Sequence, residues 1–204
     1  MRDFTIEAVL FDFDGTLTKP GGIDFPGLRA ALGIAPGTYA LEHFESLVTG
    51  PKREEAEAIL HRFEEEGAAR AEPNDGAEAV VRRLRSAGLP VGMITRNRLP
   101  MIEAALRRFA HLSLEDFDVV VTRDLDIPFK PEPDTIFYAA ERLGVAPERC
   151  AMVGDFVVDV EAGHQAGAVT VLLATPGEEV VPAYEPDFRI ESLDELEAVL
   201  GLGS

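Results

Sequence analysis

Ala8-Val9-Leu10-Phe11-Asp12-Phe13-Asp14-Gly15-Thr16 is the stretch from which the rest of the chain can be read. Its opening run is wholly apolar and reads as the first strand of a sheet buried on both faces, expected over 8–13. Side-chain direction repeats every second residue along a strand. Asp12 and Asp14, at its carboxyl end, are therefore expected to project to the same side. Gly15 then permits a sharp turn, and Thr16 offers a hydroxyl beside the two acids. Neighbouring carboxylates repel each other unless a cation, a proton or a reaction employs them. A solvated acidic turn is the plain alternative for this segment taken alone.

Outward from that segment, short apolar runs alternate with helical patterns. Further strands are expected over 90–94, 118–122, 151–154 and 169–173, with a short edge strand over 188–190. Between them, 76–87 carries Ala79, Val80, Leu84 and Ala87 at helical spacing, and 99–109 carries Ile102, Ala105, Leu106 and Phe109. Residues 133–143 place Ile136, Phe137, Ala140 and Leu143 on one face, with Gly144 as the stop. The alternation predicts an α/β fold, a Rossmann-like parallel sheet covered by helices on both faces. Ligands of such sheets bind outside the carboxyl ends of the strands, where the first two acids lie.

One stretch breaks the alternation, since no strand is evident from Lys19 to Asn74. A short helix is expected over 25–32, ended by Gly33, and a second over 39–48. Thr49-Gly50-Pro51 opens a third, with Ala56, Ile59, Leu60 and Phe63 as its buried stripe and Glu64-Glu65-Glu66 as a solvated face. The expected division is a core of 1–18 and 75–204 with a small inserted helical segment, 19–74. That insertion either covers the site or only packs on the core.

Four separated motifs carry a family resemblance. They are Asp12-Phe-Asp14-Gly-Thr16, Met93-Ile94-Thr95-Arg96-Asn97, Lys130-Pro131-Glu132-Pro133-Asp134 and Gly154-Asp155-Phe156-Val157-Val158-Asp159. Their kind and order resemble the haloacid dehalogenase-like hydrolase superfamily, mostly phosphatases that use an aspartate nucleophile. The insertion resembles the type 1 helical cap of phosphoglycolate phosphatase-like members, although it is small for that group. The resemblance implies an Mg²⁺-dependent enzyme. Asp12 would be the nucleophile that forms an aspartyl-phosphate, and a metal ligand as well. Asp14 would be the acid toward the leaving group and then the base for water, with its backbone carbonyl on the metal. Haloacid dehalogenases lack this second acid, so Asp14 favours phosphoester chemistry. Thr95 and the N–H groups after it would hold phosphate oxygens. Lys130 would balance the charge on the phosphoryl group and on Asp12. Asp155 would ligate Mg²⁺ directly, and Asp159 would support the site through water or by orienting Lys130.

The residues themselves leave plainer readings beside these. A threonine at a strand end is commonplace. Arg96 and Asn97 either contact substrate or, for Arg96, form a surface ion pair. A lysine is usually a solvated cation, but Pro131 and Pro133 stiffen the peptide around Lys130 and would aim its ammonium inward. A cis bond before such a proline is frequent in the family. Asp155 and Asp159 stand four apart at a helix start. That position favours anions by itself, while a hard cation would relieve their mutual repulsion. Phe156 departs from the Ser or Thr frequent at that point in the family. His43, His61, His111 and His164 show no metal-ligand spacing, and His43, His61, Lys52 and Arg53 of the insertion read as surface or packing residues.

The bulk properties narrow the partners. With 204 residues, 46% hydrophobic and 27% charged, the chain can bury one sizeable core plus an insertion. A formal net charge of −18 argues against a nucleic-acid polymer, whose binding depends on Lys and Arg neutralising phosphates. An anionic substrate would need a local cation and a few placed basic groups against that field. The single cysteine, Cys150, excludes an intrachain disulfide and reads as a buried thiol. No apolar stretch approaches the roughly 20 residues of a membrane span, and a cytoplasmic location is expected. Three functions follow. The first is a phosphatase of a small phosphorylated metabolite, with phosphoglycolate-, sugar-phosphate- and nucleotide-type substrates all open. The second is a β-phosphoglucomutase-like phosphomutase, which would need a tightly closing cap. The third is a non-enzymatic aspartyl-phosphate switch, whose receivers lack an insertion after the first strand.

Overall fold

The computed structural model describes residues 5–35, 50–174 and 180–202; the helix expected over 39–48, and His43 with it, lie outside these. The described strands are β1 (Ala8–Phe11), β2 (Val91–Ile94), β3 (Val119–Val121), β4 (Cys150–Gly154), β5 (Val169–Leu173) and β6 (Phe188–Ile190). They form one sheet in the order β3-β2-β1-β4-β5-β6, and every neighbouring pair is parallel. The described helices are α1 (Phe25–Leu32), α2 (Pro51–Arg70), α3 (Ala77–Ser86), α4 (Leu99–Leu106), α5 (Asp134–Leu143), α6 (Val157–Ala166) and the short α7 (Leu196–Val199).

The apolar runs are unbroken because both faces of the sheet are covered. Val9 and Phe11 point into a cluster with Val80, Leu84, Ile102 and Ala105 of α3 and α4. Ala8 and Leu10 point the other way, onto Ile136, Ala139 and Ala162 of α5 and α6. Burying a side chain such as Phe11 contributes about 1.5–3 kcal/mol relative to leaving it in water. Strand order reverses at β1: the chain builds β2 and β3 on one side, then crosses to β4, β5 and β6 on the other. The ends of β1, β2 and β4 therefore surround one crevice.

The insertion leaves and returns along two adjacent strands of backbone. The Lys19 N–H donates to the Glu72 carbonyl and the Asn74 N–H to the Leu17 carbonyl, each at 2.9 Å. Its helices have a small core of their own, Leu28, Ala56 and Leu60, with Ile59 and Phe63 partly buried against it.

Three expectations require correction here. Glu64 is not on a solvated face: it is 3% exposed, and its carboxylate meets the Arg123 guanidinium at 2.8 Å. Positions 56, 60 and 64 fall on one stripe of α2, so the acid follows Ala56 and Leu60 inward. Only Glu65 and Glu66 of that run face water. The second correction concerns β1, which stops at Phe11 rather than 13. Asp12 and Asp14 thus owe their directions to a turn and not to strand alternation. The helix expected over 99–109 likewise ends at Leu106, where the Arg108 and Phe109 N–H groups bond to carbonyls only three residues back.

Cys150 is buried, and burial, followed by the nearby Glu148 and Glu7, pushes its thiol up to about 11. It is a packed, protonated thiol. Among the described residues no helix is long and apolar enough to cross a membrane.

Candidate active site

Strand register decides which side chains meet. Phe11 pairs with Met93 on one side and with Val153 on the other. The Asp12 N–H extends the second pairing by donating to the Val153 carbonyl at 2.8 Å. Asp12 therefore stands level with Ile94 and Gly154, one residue short of Asp155. After Asp12 the chain makes a wide turn, Phe13–Leu17, closed by the Thr18 N–H on the Phe13 carbonyl at 2.9 Å. Gly15 makes that turn possible. Its φ is +84°, and a Cβ there would lie 2.0 Å from an Asp155 carboxylate oxygen. Gly154 serves the same purpose on β4, where a Cβ would lie 2.2 Å from Cγ of Asp159. Two glycines thus let two carboxylates lie directly against backbone.

Lys130 is the hub. It is 3% exposed, and its peptide bond to Pro131 is cis. Nζ donates to Asp12 Oδ1 at 2.6 Å, to Asp159 Oδ1 at 2.6 Å and to the Ile94 carbonyl at 3.0 Å. Three ammonium protons find three acceptors. Burial pulls the Lys130 pKa down, but the Asp12 and Asp159 charges outweigh it and the net direction is upward, so the ammonium stays charged.

The acids around it fall into two kinds. Asp159 has both oxygens engaged, Oδ1 by Lys130 and Oδ2 by the Phe156 N–H at 3.2 Å. Asp155 accepts from the Thr16 hydroxyl at 3.2 Å and from its own backbone N–H. Burial, then the charges of Asp12 and Asp159, push Asp155 up to about 8. Asp159 rises to about 6, chiefly through burial, with Lys130 opposing. Asp14 rises to about 7 through burial and then the charges of Asp12 and Glu64. The Asn97 amide donates to Asp14 Oδ2 at 2.5 Å, which leaves Oδ1 to carry the proton.

Among the described residues, oxygens of Asp12, Asp155 and Asp159 lie within 4.8 Å of one another. A set of hard oxygen donors with carboxylates forced up in pKa suits a divalent cation such as Mg²⁺. Both Asp159 oxygens are already engaged, by Lys130 and by the Phe156 N–H, which favours Asp12 and Asp155 as the two acids that would hold a metal.

One cavity of about 290 Å³ is lined by Asp12, Asp14, Lys130 and Asp155 together with Arg96 and Asn97. Thr95 is 1% exposed and lies beneath the loop, where its hydroxyl accepts the Asn97 N–H at 3.1 Å. Asn97 is turned toward Asp14 and so holds an acid in place. Asn74 and two ion pairs around the site were not singled out as site residues from the sequence. Asn74 donates to the carbonyls of Gly15 and Thr16 at 3.3 and 3.0 Å, tying the turn after β1 to the returning insertion. Glu64 and Arg123 clamp α2 to the loop after β3, and Glu57 with Arg98 forms a second ion pair from α2 to the start of α4. Of these, only Asn74 carried a local signal, as the first residue of Asn-Asp-Gly where the insertion ends.

A family model described as a haloacid dehalogenase-like hydrolase matches residues 6–167. An uncharacterised hydrolase of Saccharomyces cerevisiae is 35% identical over 169 residues, 82% of this chain and 77% of that protein. The N-acetylmuramic acid 6-phosphate phosphatase of Pseudomonas aeruginosa is 30% identical over 191 residues, 83% of this chain and 82% of that protein. Among solved structures, a variant of CbbY from Rhodobacter sphaeroides in complex with xylulose-(1,5)bisphosphate superimposes with a TM-score of 0.72. It is 26% identical and covers 96% of this chain and 99% of that one.

Proposed function

This chain belongs to the haloacid dehalogenase-like hydrolase family, and we propose that it is an Mg²⁺-dependent phosphatase of a small phosphomonoester. The single observation that carries this reading is the buried Lys130 bridging Asp12 and Asp159, with Asp155 and Asp14 on the same cavity. Similarity to an N-acetylmuramic acid 6-phosphate phosphatase supports the phosphoester class.

Asp12 is the nucleophile. Lys130 holds its Oδ1, which leaves Oδ2 to attack phosphorus. The new Oδ2–P bond forms as the ester P–O bond breaks, and Asp14 delivers its proton to the departing alkoxide. With a pKa raised to about 7, Asp14 can arrive protonated at neutral pH. The ionised Asp14 then takes a proton from water as that water attacks phosphorus, releasing phosphate and restoring Asp12. Lys130 balances the charge that gathers on the phosphoryl oxygens. The backbone turn at Thr95 and the Arg96 side chain serve those oxygens, while Asp159 fixes Lys130. Mg²⁺, held by Asp12, Asp155 and the Asp14 carbonyl, would neutralise the phosphate and keep Asp12 ionised. Side chains of 19–74 line the same cavity as Asp12, which supports reading that segment as a cap over a core of 1–18 and 75–204.

Phosphate release from p-nitrophenyl phosphate is expected with Mg²⁺ and is expected to stop in a chelator. A panel of phosphomonoesters that yields no phosphate with Mg²⁺ present contradicts the proposal.

A pH dependence of stability follows as well. Asp14, Asp159 and Asp155 stand at about 7, 6 and 8 in the folded chain, against 3.8 in the unfolded one. Between about pH 4 and 8 the folded state thus binds more protons than the unfolded state, so stability falls as pH rises through that window. In a chelator, Tm is expected to drop by about 5 °C or more from pH 5 to pH 8. Added Mg²⁺ should raise Tm more at pH 8 than at pH 5, because at pH 5 it must displace the proton from Asp155. A Tm in chelator that is flat over this range speaks against crowded buried carboxylates.

A further inference from the structure

Helix α2 grips two loops of the core with two acids. Glu57 and Glu64 stand two turns apart on α2 and so share one face. Glu57 meets Arg98 at the start of α4, and Glu64 meets Arg123 in the loop after β3 at 2.8 and 3.0 Å. The two loops are also bonded to each other. The Arg123 N–H donates to the Asn97 carbonyl at 3.0 Å, and the Leu99 N–H donates to the Asp124 carboxylate at 2.8 Å.

The site joins this arrangement at one residue. Asn97 is 7% exposed, and its side-chain amide donates to Asp14 Oδ2 at 2.5 Å. Glu64, Asn97 and Asp14 also line one small cavity of about 10 Å³, about the room of a single water. Of the two ion pairs, that of Glu64 decides the arrangement. The Arg98 and Glu57 side chains are 43% and 44% exposed, and pairs so open to water contribute little. The Arg123 and Glu64 side chains are 12% and 2% exposed, so losing their contact separates two buried charges.

We propose that Glu64 is a positioning residue for the leaving-group acid: it grips Arg123, which holds the loop of Asn97, and Asn97 holds the Asp14 carboxyl in place. The inference rests on the phosphatase reading and adds to it a residue of the insertion that acts on the acid through two others. The role needs the reach of the Glu64 side chain rather than its charge, because orientation passes along the chain of hydrogen bonds.

Two substitutions separate reach from charge. Glu64→Asp keeps the charge but is one methylene shorter, whereas Glu64→Gln keeps the length and an oxygen for Arg123 but is neutral. Two esters report on the acid. p-Nitrophenolate leaves without a proton, while the alkoxide of benzyl phosphate needs one from Asp14. With Mg²⁺ present, Glu64→Asp is expected to lower kcat/KM for benzyl phosphate by about tenfold or more and that for p-nitrophenyl phosphate by about threefold or less. Asn97→Ala should show the same selective loss, and Glu64→Gln should stay within about threefold of the parent on both esters. Equal losses on the two esters in Glu64→Asp, the mark of a merely structural role, overturn the proposal, as do parental rates in that variant. A glutamine variant as impaired as the aspartate one assigns the effect to charge and overturns it too. If the parent hydrolyses neither ester, the phosphatase reading falls by itself. The side-chain amide signals of Asn97 in a nuclear magnetic resonance spectrum, identified by their loss in Asn97→Ala, then still decide the coupling. Amide protons that exchange with solvent about tenfold faster in Glu64→Asp than in the parent uphold it, and unchanged exchange overturns it.

Discussion

Asp12→Asn is expected to lower Mg²⁺-dependent hydrolysis of p-nitrophenyl phosphate by about 10⁴-fold or more while leaving the chain folded. The amide has the shape of the carboxylate but neither its charge nor its nucleophilic oxygen. Lys130 keeps two of its three acceptors, the Asp159 carboxylate at 2.6 Å and the Ile94 carbonyl at 3.0 Å, so the ammonium is not stranded. The backbone N–H of residue 12 still bonds to the Val153 carbonyl and holds the end of β1 in register. Steady-state rates together with a thermal melt separate lost chemistry from lost fold. A variant that retains a rate within about tenfold of the parent would mean that another group attacks phosphorus.

Lys130→Met is expected to remove activity and to destabilise the chain. Methionine fills much of the volume but carries no proton for Asp12, Asp159 or the Ile94 carbonyl. Three carboxylates, Asp12, Asp155 and Asp159, would then share a space of 4.8 Å with no cation from the protein. Breaking a buried ion pair by deleting one partner costs about 3–5 kcal/mol. For a chain of this size that is a fall in Tm of about 10 °C, read in a chelator. The loss should be largest near pH 8, where the acids are driven to ionise, and smaller near pH 5, where they can be protonated instead. Hydrolysis should fall by about 10²–10³-fold, the usual cost of losing one electrostatic contact to the transition state. An unchanged melting temperature would show that the Lys130 contacts contribute nothing to the native state.

The sheet was legible because buried parallel strands write themselves as apolar runs. Ala8-Val9-Leu10-Phe11 and Cys150-Ala151-Met152-Val153 need no knowledge of partners to be recognised. Gly144 and Gly33 marked helix ends in the same local way. The turn after β1 was only half legible. The segment announced two acids and a glycine, but strand alternation was the wrong reason for their directions. The strand stops at Phe11, and Gly15 at φ +84° turns the chain so that Asp14 reaches the cavity wall.

What stayed hidden depends on contacts between distant residues. Asn97 reads as a possible phosphate contact when only its neighbours are known. Its partner Asp14 lies 83 positions away and is reached because β1 and β2 are adjacent. Glu64 reads as solvated within a run of three glutamates. Its burial requires knowing that α2 turns the stripe of Ala56 and Leu60 toward the core and that Arg123, 59 positions on, waits there. Asp159 could be placed near Lys130 from spacing and resemblance, but the engagement of both its oxygens could not. That engagement is what favours Asp12 and Asp155 as the two acids that would hold a metal.

Catching the phosphoryl group on Asp12 tests the mechanism most directly. The protein is mixed with substrate and Mg²⁺, quenched during turnover and treated with borohydride, which reduces an aspartyl-phosphate to homoserine. Peptide mass spectrometry should then find homoserine at position 12 in the parent chain, and none without substrate or in Asp12→Asn. Turnover with position 12 unmodified, or with the modification at another acid, contradicts Asp12 as the nucleophile.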